Sequence, residues 1–302
     1  MRSKLFKVPV KIAAIFSIVL FFASCGSEKK KESSEASKEF DEAAEEITEK
    51  VEKVIYEIPN PSEVPYLIQS TGADFNPSLT NDIGNYETYL NNASVTALNL
   101  GVYATDIGYL SSYGKTQEAL NYMDVCVKMA DELGISEAID LKILERFEQN
   151  LTNTDSLASI LDEAISNSDQ YLNESDRGSV AALVVTGTFI EGLYIATQII
   201  DTYPKDILAD DQRMTILTPM IRVLVGQEES LNDVISLLES LDNKTGWINN
   251  TMSSLKELQA AYEEFGGEEK ISSGQGSDVL SDEALADIIS KTETLRTQVI
   301  EG

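Results

Sequence analysis

The sequence predicts an all-α protein, an irregular multi-helix bundle or helical-hairpin array of about 8–10 helices carried on a charged N-terminal tether. Three observations predict it. From residue 93 onward apolar side chains recur three or four positions apart, the spacing of one face of a helix. Gly114 and Gly134 fall at the ends of such stretches, where a helix commonly closes on a left-handed residue. Period-two alternation, the mark of a strand, is scarce.

The first element stands apart from the bundle. Arg2, Lys4, Lys7 and Lys11 form a basic start without an acidic residue, and residues 12–22 are an apolar run of secretory length, too short to span a bilayer. Small residues Ala23 and Ser24 then precede Cys25. This arrangement resembles the lipobox of bacterial lipoproteins, in which the cysteine thiol is acylated and the preceding segment is removed. Phe22 stands where Leu is commoner, a variation of the Bacteroidota type. The resemblance implies a signal peptide over 1–24, a lipid on Cys25 as the membrane attachment, and a place in the cell envelope on the outer membrane. The leaflet stays open. Gly26 lacks the Asp associated with inner-membrane retention, while Lys29-Lys30-Lys31 departs from the acidic run associated with surface export.

Residues 25–55 form the tether. Phe40, Ala44, Ile47, Val51 and Val54 keep three- or four-residue spacing, which suits one amphipathic helix or a short coiled-coil seam. A solvated spacer fits the charged composition as well. Pro59, Pro61 and Pro65 stop any continuation, and 62–70 before Gly72 reads as a short helix. Residues 74–89, with Asn76-Pro77, are loop-rich.

The helical body is expected over 56–265. Its helices fall at 93–113, 116–133, 136–150, 155–172, 176–202, 207–225 with a kink at Pro219, 228–241 and 250–265. The stretch 180–200 is apolar enough to suggest a second membrane segment, but Gly187, Glu191, Gly192 and Gln198 interrupt it, so a central helix packed on all sides is expected. A Gly/Ser-rich linker follows at 266–280. Residues 281–302 then form an amphipathic helix with Leu285, Ile288, Ile289, Leu295 and Val299 on one side, whether docked or free. Residues 98–133 have the length of one tetratricopeptide unit, yet Gly108 falls out of register and no second copy recurs. Tyr56-Glu57-Ile58-Pro59 and residues 97–103 resemble helical lipoproteins of Bacteroidota, a likeness that implies no activity.

Composition narrows the function. With 51 acidic residues against 23 basic ones, a net charge of −28 repels nucleic acid and anionic lipid head groups. The chain contains no His, which removes serine–histidine triads, His-ligated zinc and the usual general base at neutral pH. Acylated Cys25 leaves Cys126 without a disulfide partner, and the apolar neighbours of Cys126 mark a buried structural thiol. Phosphate-binding, nucleophile-elbow, zinc-protease and EF-hand patterns are all missing. Acidic runs such as Glu45-Glu46 and Glu263-Glu264 read as solvated faces, with weak calcium association the lesser alternative. Asp155-Ser156-Leu157 resembles the O-glycosylation motif of exported Bacteroidota proteins, which would make Ser156 the acceptor; a residue in a helix's first turn is the plainer reading.

Three ionisable residues sit inside otherwise apolar helices: Asp106, Glu191 and Arg222. Asn99, Tyr103, Asp106 and Tyr113 share a stripe, beside a flat side of Gly101, Ala104 and Gly108 that would admit another backbone. Gly187, Glu191, Tyr194 and Gln198 form a matching stripe, and Arg222 is the expected counter-charge. One reading is a pocket lined by Tyr103, Asp106, Tyr109, Glu191 and Tyr194 for a cationic or hydroxyl-rich ligand. The favoured reading is a buried network that sets helix register. The function expected is that of a non-enzymatic binding or protein-interaction module with an envelope protein partner and no cofactor, metal or nucleic acid. The alternative is a helical enzyme, or a small-ligand binder, working through those carboxylates.

Overall fold

The computed structural model describes residues 50, 68, 71–135, 178–204, 209–241, 244, 246–267 and 283–302. Cys25, Ser156, all of the tether but residue 50, the helices expected at 136–150 and 155–172, and nearly all of the 266–280 linker lie outside the described residues. Among the described residues there is no strand; 3-10 turns occupy Pro77–Leu79 and Ile83–Asn85, and the α-helices are α1 (Tyr86–Tyr89), α2 (Ala93–Ser112), α3 (Thr116–Glu132), α4 (Gly178–Thr202), α5 (Asp210–Glu239), α6 (Gly246–Phe265) and α7 (Glu283–Glu301). The all-α architecture is the one the sequence predicts.

Local chemistry sets the boundaries. The Asn92 side chain accepts from the amides of Ser94 and Val95 and caps the start of α2. Gly114 and Gly134 close α2 and α3 with φ of 64° and 65°. In each case the next residue reaches back five positions, Lys115 N–H to Leu110 O and Ile135 N–H to Ala130 O, both at 2.9 Å. This pairing satisfies carbonyls that a helix end would otherwise leave open.

Helix α5 corrects one expectation. Instead of two helices separated near residue 226, one helix runs through both Pro219 and Gly226. Both residues face solvent, so the bond that proline cannot make is lost where water can replace it. Leu217, Met220, Ile221, Leu224, Leu231 and Val234 meanwhile keep one unbroken buried stripe.

Helix α4 is long and apolar enough to cross a membrane, yet 72% of its apolar window is buried inside the body, in keeping with a central core helix. It packs on α2, α5 and α7. Against α2 the approach is backbone to backbone: a methyl group at Gly101 would strike the Val184 carbonyl, and one at Gly187 the Leu98 carbonyl. Thr105 Oγ1 donates to Thr188 O, and Thr188 Oγ1 to Gly101 O, both at 3.4 Å across this seam. The flat side expected around Gly101 is thus occupied by α4, while Gly108 meets nothing. Helix α7 packs on α6, α4 and α2, which decides that the last helix docks.

Candidate functional site

The charged centre of the body draws on three helices. Asp106 comes from α2 and Glu191 from α4, both fully buried, and Arg296 from α7 is 7% exposed. Each residue replaces an apolar side chain on an inward stripe, so each enters the core with its helix. Arg296 Nε donates to Glu191 Oε2 and Nη2 to Oε1, both at 3.0 Å, a two-point clasp between planar groups. The guanidinium also lies over the Tyr194 ring, 4.5 Å from its centroid. Asp106 Oδ2 accepts the Asn81 amide at 3.0 Å, while its Oδ1 has no donor. The Asp106 carboxyl is also within hydrogen-bonding reach of Glu191.

Burial pushes the Asp106 carboxyl well above its ordinary range, and the Glu191 charge adds to the shift; the Asn81 amide and Arg296 oppose it. Glu191 is also raised by burial, with the guanidinium of Arg296 opposing. The two acids differ because Arg296 occupies both oxygens of one and neither oxygen of the other.

Arg222, the expected counter-charge, is a correction. It is exposed on α5. Ile221, Leu224 and Val225 make the inward face there, and a residue one position from Ile221 is turned about 100° away from it. Arg296 takes its place, and a sequence signal for its burial exists. It lies between Thr292 and Val299, in register with the buried side of α7.

The remaining predicted residues are buried but serve different contacts. Asn99 Nδ2 donates to Val299 O at 2.9 Å, and Tyr89 OH donates to Ile300 O at 2.8 Å. These bonds cap the C-terminal end of α7, whose last carbonyls have no partner within the helix. Tyr103 and Tyr109 do not turn their hydroxyls into a pocket. Tyr103 OH donates to Asp82 O at 2.8 Å and Tyr109 OH to Asn76 O at 3.2 Å. Tyr113, Tyr122 and Tyr203 do the same to the carbonyls of Ala73, Asn81 and Thr71. Five tyrosines thereby strap the irregular segment 71–85 to the bundle.

The centre therefore presents a Glu191–Arg296 pair that is already matched and hydroxyls already committed to backbone. What it does chemically is hold α7 and segment 71–85 against α2 and α4. Cys126 is buried as well, and burial holds its thiol far above the usual range. Among the described residues, no three His, Cys, Asp or Glu side chains are grouped to hold a metal ion.

Comparison of the chain with protein-family models, with curated proteins and with solved structures gave no match.

Proposed function

We propose that this chain is an envelope lipoprotein, tethered by lipid on Cys25 to the outer membrane, whose helical body is a non-enzymatic interaction module. The N-terminal pattern from Arg2 to Cys25 supports the anchor. The observation that supports the second half is the sealed carboxylate centre: Asp106 and Glu191 are both 0% exposed, and acid–base catalysis needs its groups within reach of a substrate proton. The strongly acidic composition favours a protein partner over nucleic acid.

The anchor is tested by palmitate labelling and fractionation. Cys25→Ser should abolish labelling and leave an uncleaved or mislocalised precursor; equal labelling of mutant and wild type refutes the anchor. The module is tested by photo-crosslinkers placed at exposed positions of α5 and α6 in intact cells. Adducts with one defined envelope protein, confined to one face, support it. The enzyme or ligand-binding alternative gains instead if such adducts are missing and Glu191→Gln alters binding of a small cationic or polyhydroxyl probe.

A further inference from the structure

Two buried carboxyls stand against one guanidinium in the centre of the body, and the arrangement is uneven. Glu191 receives two N–H donors from Arg296. Asp106 receives one, from the Asn81 amide, and keeps a buried oxygen with none. If both acids were ionised, the site would hold two negative charges against one positive charge with neither acid exposed to solvent, and a buried charge without a partner is strongly unfavourable. A single proton on Asp106, donated to Glu191, cancels the excess charge and turns a repulsive contact into a hydrogen bond.

We propose that Asp106 carries a proton in the folded protein at neutral pH and donates it to Glu191, so that seating α7 against α2 and α4 is coupled to the uptake of one proton. The pair then reads as a neutral acid, a carboxylate and a guanidinium with no net charge. This inference concerns the fold's own chemistry and does not rest on the proposed function.

The titratable groups around Asp106 leave the proton nowhere better to sit. Tyr103 and Tyr109 on α2, Tyr122 and Cys126 on α3, and Tyr194 on α4 are all raised by burial and are neutral near pH 7. Among the described residues, Arg296 on α7 is the cation that acts on Asp106, and it is engaged at both Glu191 oxygens. Glu191, clasped on both oxygens, is the better anion of the pair.

An acid whose pKa is higher in the folded state than in the unfolded chain, where it is about 3.9, makes folding take up a proton. The stability it confers is complete below the unfolded value and falls as pH rises toward the folded one. Within that window one proton corresponds to a change of about tenfold in the folding constant per pH unit. Asp106→Asn has the same shape, donates from its amide to Glu191 and cannot ionise.

The test is urea unfolding of the full chain in detergent from pH 5 to 7, wild type against Asp106→Asn. The ratio of folding constants, variant over wild type, should rise by about tenfold per pH unit. Infrared spectroscopy at pH 7 with carboxyl-13C aspartate supplies the second measurement, which does not depend on the variant folding. The native wild type should show the carbonyl stretch of a protonated aspartic acid, shifted by the label and lost on unfolding. A pH-independent ratio, or a native spectrum without that band, overturns the proposal.

Discussion

Glu191 and Arg296 are joined across 105 residues of chain by two 3.0 Å hydrogen bonds, and neither residue reaches 10% exposure. A pair so placed adds little net stability over apolar neighbours, but breaking it from one side strands a charge in the core. Its consequence is positional, because the clasp fixes where α7 meets α4.

Arg296→Met should therefore destabilise the fold by about 3–5 kcal/mol in urea unfolding, since Glu191 is left buried without its counter-charge. Adding Glu191→Gln should recover part of that loss. Arg222→Met, at an exposed site, should stay within about 0.5 kcal/mol of wild type. A large effect at Arg222 with none at Arg296 would contradict the Glu191–Arg296 pairing.

Removing α7 should be far more damaging. Leu285, Ile288, Leu295 and Val299 are at most 2% exposed. Each is worth about 1.5–3 kcal/mol on burial, and the whole stability of such a domain is only about 5–15 kcal/mol. A chain ending at residue 282 is expected to lose its cooperative thermal transition by circular dichroism, which a freely floating last helix would leave unchanged.

The α2–α4 seam should tolerate no added volume. Gly101→Ala or Gly187→Ala places a methyl group on opposing backbone and should cost at or above the upper end of the roughly 1–3 kcal/mol typical of overpacking. Gly108→Ala meets open space on the same helix and should stabilise by about 0.5–1 kcal/mol. Melting temperatures of the three variants should move in these opposite directions.

Loss of one strap should loosen segment 71–85 without unfolding the bundle. Tyr122→Phe removes the donor to Asn81 O and should cost about 1–3 kcal/mol, as expected when a buried acceptor is left open. Hydrogen exchange at the Asn81 amide, which donates to Asp106, should accelerate in that variant while amides of central α4 keep their protection.

Much of this was legible locally. Helix ends at Gly114 and Gly134, the buried character of α4 and the anomaly of Asp106 and Glu191 all follow from neighbours within a few residues, because helix propensity, capping and amphipathic spacing are local properties. Pro219 and Gly226 misdirect the reading of α5 because their effect depends on which face they occupy, and both face water. The same question of face separates Arg222 from Arg296. An apolar neighbourhood of five residues contains both sides of a helix, whereas burial is decided by the phase of the stripe over several turns.

The sequence by itself determined that the described residues are helical, where most of their helices begin and end, which two acids would be buried, and that α2 offers a small-residue face. Tertiary structure alone decided that α7 docks, that Arg296 is the partner of Glu191, and that the tyrosines hold backbone carbonyls of 71–85. Those choices link residues as far apart as Asn99 and Val299, and no local spacing encodes them. They arise when the helices close together and every buried charge, hydroxyl and carbonyl must find a partner at once.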